Sequence, residues 1–136
     1  MDVMVSQAQG RAEVTILQPH GDLDAATYTQ LIAAAQEVYR AGTSNILLDL
    51  SDTPYMSSSG LVALQSIAAL LRDEELPDLE AGWEALRALK RSPEAGLQEH
   101  LKLLSPQPRV ARVLEMVGFT HFLEVYDDLE DAVASF

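Results

Sequence analysis

Three consecutive serines are the residues of this chain best placed to do chemistry. Ser57, Ser58 and Ser59 follow a short apolar segment, 46–50, and open a predicted helix. Hydroxyl groups at a helix start lie beside unpaired backbone N–H groups and the positive end of the helix dipole, where an anion is favoured. A phosphate there would change the local charge by about −1.5 to −2. The arrangement favours a phosphorylation switch over a catalytic pocket.

The same serines also have a structural interpretation. Serine is a favoured N-cap residue, so Ser58 or Ser59 could simply satisfy the first N–H groups of the helix. No local pattern places a base beside Ser58, and we therefore predict no hydrolytic activity.

Aspartates form the main acidic group of the sequence, namely Asp22, Asp24, Asp49 and Asp52. They could hold Mg²⁺ in a receiver-type site, with Asp49 as the phosphoacceptor. Such a site also needs a cation after the fifth strand, but the only lysines are Lys90 and Lys102. Turn formation and helix capping explain these aspartates better. The three histidines lack ligand spacing and there is no cysteine, so we predict no metal and no cofactor.

Length and charge narrow the classes of function. The 136 residues are 48% hydrophobic, which predicts one folded domain over 1–136. A formal net charge of −12 argues against binding nucleic acid or an anionic membrane surface. Residues 1–6 do not resemble a signal peptide, and no apolar stretch approaches the ~20 residues that span a bilayer. We expect a soluble, cytoplasmic protein.

The elements that must position the serines can be read from periodicity. Strands are predicted at 3–6, 12–18, 46–50, 100–104 and 122–126, and helices at 25–40, from the serines to about 71, at 109–117 and at 127–136. The first two strands form a hairpin turning at Gln9 and Gly10, and Asp24 is the expected N-cap of the first helix. Strand–helix alternation predicts a mainly parallel sheet covered by helices.

Residues 73–98 do not fit this alternation. We predict an extra amphipathic helix there, over about 79–91, with Trp83, Leu86 and Leu89 on one face. The segment is too short to bury a core alone, so it is expected to be an insertion. The apolar face most simply packs on its own domain. Because aromatic residues are enriched in interface hot spots, it is also a candidate docking or dimerisation face, and a homodimer stays open.

Two motifs resemble those of a known family. Gly21-Asp22-Leu23-Asp24 is similar to a G-x-L-D motif, and Asp49-Leu50-Ser51 followed by Met56-Ser57-Ser58-Ser59-Gly60-Leu61 is similar to a D-L-S … D-S-S-G-L signature. By these motifs the chain resembles the STAS domain, specifically the bacterial anti-sigma factor antagonists. The resemblance implies an α/β fold with a mixed, mainly parallel five-stranded sheet and about four helices, here with one inserted helix.

The resemblance also implies a site and a role. The phosphoacceptor would be Ser58, with Ser57 as the alternative because it stands where the family has an aspartate. The implied partner-binding residues are Asp22, Asp24, Met56, Ser57, Ser59 and Gly60. An antagonist of this family has no enzymatic activity. It binds an anti-sigma factor that is also a serine kinase, is released by phosphorylation, and is reset by a phosphatase.

A second interpretation has no phosphorylation at all. Serine in place of the family's aspartate and the 73–98 insertion would also suit a permanent scaffold or an accessory subunit of a signalling or transport complex. Nucleotide binding or hydrolysis is a third interpretation, but the sequence has no P-loop.

Overall fold

The computed structural model describes residues 1–72 and 98–136. These residues form a five-stranded sheet with the strands in chain order. The strands are β1 (Asp2–Gln9), β2 (Glu13–His20), β3 (Ile46–Asp49), β4 (Leu101–Leu104) and β5 (Val125–Tyr126). β1 and β2 form the predicted antiparallel hairpin, and every later neighbour pairs in parallel. The predicted fold class is confirmed.

The described helices lie where the sequence predicted them, with shifted ends. They are α1 (Tyr28–Arg40), α2 (Ser58–Leu71), α3 (Pro108–Met116) and α4 (Leu129–Ala134). A 3-10 turn, Phe119–His121, precedes β5. None of the helices in the described ranges is long and apolar enough to cross a membrane. The predicted inserted helix, with Trp83, Leu86 and Leu89, lies outside the described residues.

Side chains alternate between the two faces of the sheet, and each face has its own core. On one face, residues such as Leu17, Leu48 and Leu103 are buried under α1, α2 and α3. On the opposite face, a smaller cluster is buried under α4; it comprises Val14, Leu47, Leu104, Ala132 and Val133. α2 packs against α1 and is buried along most of its length from Gly60 onward.

Element boundaries differ from the prediction by up to three residues, as at the starts of α1 and β5. α1 begins at Tyr28 rather than at residue 25, and its N-cap is Thr27 rather than Asp24. The Asp24 carboxylate instead accepts a hydrogen bond from the Ala26 backbone N–H at 2.9 Å and forms a turn before the helix. The fifth strand was predicted over 122–126 but spans only two residues. Its expected first part turns inward, because the Phe122 ring packs in the core beside the 3-10 turn.

Candidate functional site

The loops that follow β2 and β3 are joined to each other by backbone hydrogen bonds. Gly21 N–H donates to Asp52 O at 3.0 Å, and Leu23 N–H donates to Tyr55 O at 2.9 Å. Ser57 N–H then donates to Leu23 O, also at 2.9 Å. The carboxyl ends of neighbouring parallel strands meet at one sheet edge, which places the two sequence motifs side by side.

Three close contacts form the floor of this site. Leu23 and Met56 are fully or almost fully buried and form an isolated parallel bridge. A Cβ atom on Gly60 would lie 2.5 Å from Met56 Cγ and 2.9 Å from Leu23 O. Only glycine therefore fits at this position of α2. Met56 and Gly60, which the resemblance implies as partner-binding residues, are buried and support the site from inside.

The three serines occupy distinct environments. Ser57 is the N-cap of α2, and its Oγ accepts a hydrogen bond from Ser59 N–H at 3.2 Å. The same hydroxyl lies 3.5 Å from Leu23 O, to which it donates. Ser58 is the first residue of the helix, is exposed, and has a hydroxyl without a hydrogen bond to any described residue. The capping role considered for Ser58 or Ser59 therefore belongs to Ser57.

The two aspartates of the loop after β2 differ in availability. Asp24 is half-buried, and its backbone N–H donates to Thr27 Oγ1 at 3.0 Å. Its carboxylate accepts the hydrogen bond from Ala26 N–H that forms the turn before α1. The Thr27 hydroxyl donates to Asp22 O at 2.8 Å, which fixes the backbone at Asp22. The Asp22 side chain is exposed. In this loop, it is therefore the Asp22 carboxylate that can repel a negative charge placed nearby.

The remaining aspartates have structural contacts rather than the geometry of a receiver site. Asp49 accepts a hydrogen bond from Ser51 N–H at 3.0 Å, and Asp52 pairs with the His20 ring. Lys102, the one lysine in the described ranges, binds Glu124 at 2.9 Å. Within residues 1–72 and 98–136, no group of three or more acidic, histidine or cysteine side chains could hold a metal ion.

The pair formed by His20 and Asp52 was not predicted from the sequence. His20 ends β2, and Asp52 lies just beyond the end of β3. β2 and β3 are adjacent and parallel, so residues after their ends are neighbours. The strand order could therefore have predicted this pair, provided that His20 was assigned to β2.

The model of the STAS domain family matches residues 6–76, which is more than half of the chain and includes both motifs. The chain belongs to the STAS domain family. No curated protein matches the sequence.

Solved structures of this STAS fold include several anti-sigma factor antagonists. One, from Mycobacterium paratuberculosis, is 19% identical with a TM-score of 0.67, covering 98% of this chain and 92% of that chain. SpoIIAA in its unphosphorylated form is 18% identical with a TM-score of 0.53, covering 96% and 93%. Phosphorylated SpoIIAA, a Bacillus cell fate determinant, is 15% identical with a TM-score of 0.53, covering 97% and 96%. At these identities the likeness establishes the fold.

Proposed function

We propose that this STAS domain is an anti-sigma factor antagonist-like regulator that phosphorylation of Ser58 switches off. Unmodified, it binds an anti-sigma factor that is also a serine kinase. The observation that carries the proposal is the exposed Ser58 hydroxyl, which has no hydrogen bond to a described residue and stands at the first residue of α2 beside the loop after β2. The domain acts in the bacterial cytoplasm without enzymatic activity of its own, and a phosphatase restores it.

Ser58 is a better acceptor than Ser57 for a steric and an electrostatic reason. Ser57 Oγ already caps α2 and faces the carbonyl oxygen of Leu23. A phosphate on Ser57 would bring its negative oxygens toward that carbonyl and would disturb the cap. Ser58 can be modified without losing a side-chain hydrogen bond to the described residues.

The switch acts through charge. The first turn of α2 carries no acidic side chain, so a phosphate on Ser58 would be a new negative charge at the positive end of the helix. The positive end of the helix dipole favours a phosphate at this position. The exposed carboxylate of Asp22 in the adjacent loop adds a like charge beside it. A partner that fits the unmodified surface, comprising Asp22, Asp24, Ser57, Ser58 and Ser59, would have to bury an unpaired phosphate. Losing ~3 kcal/mol weakens binding more than a hundredfold.

Site-resolved phosphopeptide mass spectrometry, on protein isolated from its own cells with phosphatases blocked, tests the proposal. We expect phosphate on Ser58, and we expect Ser58→Ala to abolish phosphorylation and to retain the partner. Ser57→Ala is the matched control: it should remain phosphorylated but lose about 1 kcal/mol of stability because the cap is removed.

Two results would contradict the proposal. Phosphate on Ser57 would keep a switch but move it by one residue. An unmodified peptide under every growth condition would favour the scaffold or accessory subunit. That alternative predicts a stable complex that Ser58→Ala does not change and that Trp83→Ala abolishes.

A further inference from the structure

The outer edge of β1 is the longest unpaired edge in the described part of the fold. All eight residues of β1 pair with β2 in unbroken register, from Asp2 opposite His20 to Gln9 opposite Glu13. No described element pairs with the other side of β1. Proteins protect such edges with lysine, proline, bulges or very short strands, because an open edge pairs with other chains. The sequence of β1, DVMVSQAQ, uses none of these devices.

We propose that this edge binds β1 of a second copy of the chain, antiparallel, so that two sheets become one. Identical antiparallel edges related by a two-fold axis give a closed, self-complementary interface. This inference is independent of the role of Ser58.

Charge favours a second copy at this edge. The chain has a net charge of −12, so two copies repel each other over most of their surfaces. β1 contains a single charged residue, Asp2, and the turn after it contains Arg11, the only lysine or arginine among the first 39 residues. Glu13 lies on β2, one strand further from the edge.

Two-fold pairing brings these opposite charges together. Antiparallel strands related by a two-fold axis must pair one residue with its own copy. Centred on Val5, the strands place Asp2 opposite residue 8 of the copy; centred on Ser6, they place it opposite residue 10. Either centre puts Asp2 within three residues of the other copy's Arg11, which is about 10 Å or less along the strand, so the opposite charges attract each other at two symmetric places.

Exposed apolar side chains lie at the centre of the same strand. Met4 is 56% exposed and Val5 is 48% exposed. As consecutive strand residues they lie on opposite faces of the sheet, so a paired copy would cover part of each. Cross-strand apolar pairs stabilise sheets, whereas like charges placed opposite each other destabilise them.

Sedimentation equilibrium of the full chain over a micromolar to millimolar range tests the pairing. We expect a dimer that forms with increasing concentration. Val5→Lys should weaken it at least about tenfold, because it places two ammonium groups near the axis and removes two apolar side chains. The matched control is Met116→Lys, which changes a side chain that is 79% exposed on α3 and should leave the dimer unchanged.

A charge exchange provides an independent test if Val5→Lys disturbs the fold. Asp2→Arg and Arg11→Asp should each weaken the dimer by about threefold, and the double variant should recover the loss. A chain that stays monomeric throughout, a dimer that persists in Val5→Lys, or a double variant weaker than both single variants would overturn the proposal.

Discussion

Among residues 1–72 and 98–136, different amounts of helix cover the two faces of the sheet. α1, α2 and α3 bury one face, and the six-residue α4 covers part of the other. Leu23 and Met56, which form the floor of the candidate site, belong to the larger core. The site is therefore anchored in the larger of the two cores.

Polar contacts supplement the smaller core. Lys102 is 5% exposed, and its amine donates to Ser135 O at 2.8 Å, just beyond the end of α4. The amine also pairs with Glu124 at 2.9 Å and lies 4.9 Å from the centre of the Phe136 ring. A buried ammonium group is tolerated only when it is paired, so this face uses directed contacts where the other uses apolar area.

Truncating one core residue on each face of the sheet should give the largest change in the free energy of unfolding. Leu64→Ala, at a fully buried position of α2, should lower the free energy of unfolding by about 3 kcal/mol. Val133→Ala on α4 should lower it by about half as much, because fewer methyl groups are removed and the site is 8% exposed. Urea unfolding measures both, and equal losses would show that the two faces are packed equally well.

Gly60→Ala tests how the site is attached to the larger core. Its new Cβ would overlap Met56 Cγ and Leu23 O, so we expect a loss of about 2 kcal/mol despite the better helix propensity of alanine. Hydrogen exchange should show faster opening at the Ser57 amide, which bonds to Leu23 O. Met56→Ala is itself destabilising, but in a double-mutant cycle Gly60→Ala should cost less in the Met56→Ala background, and an unchanged cost would place the strain elsewhere.

The sequence predicted those parts of the molecule that depend on local patterns. Alternation and the Gln9–Gly10 turn predicted the hairpin, and the apolar run 46–50 predicted β3, because a strand buried on both faces is nearly continuously hydrophobic. The serine run marked the start of α2 to within one residue, since serine is a common cap.

What the sequence could not supply depends on tertiary contacts. Serine is equally suitable at three successive positions, and only the joined loops show that Ser57 is the cap. Phe122 has the composition of a strand residue, but packing against Phe119 draws it into the core. The contact of Lys102 with Glu124 depends on parallel pairing of β4 with β5, which no local pattern reports.

The ion pair on the smaller core should give the smallest effect and the clearest dependence on pH. Hydrogen bonding to Lys102 lowers the pKa of Glu124 below its ordinary value, against the opposing effect of burial. A lowered carboxyl pKa stabilises the fold above the unfolded pKa, and this stability is lost as pH falls through the lowered native pKa. Glu124→Gln should cost about 1 kcal/mol at neutral pH, a modest value because the glutamate side chain is 34% exposed.

Lys102→Met is the matched variant for this pair, since it removes the buried charge instead of leaving it without a carboxylate partner. We expect it to be less destabilising than Glu124→Gln, because the carboxylate that it leaves unpaired is 34% exposed, whereas Glu124→Gln leaves an ammonium group that is only 7% exposed. Unfolding free energies should be measured between neutral and acidic pH. The difference between the unmodified chain and Glu124→Gln should shrink as the pH falls and the native carboxyl becomes protonated. A difference that stays constant with pH would show that Lys102 is held by Ser135 and the aromatic rings, and that Glu124 contributes no charge interaction to the smaller core.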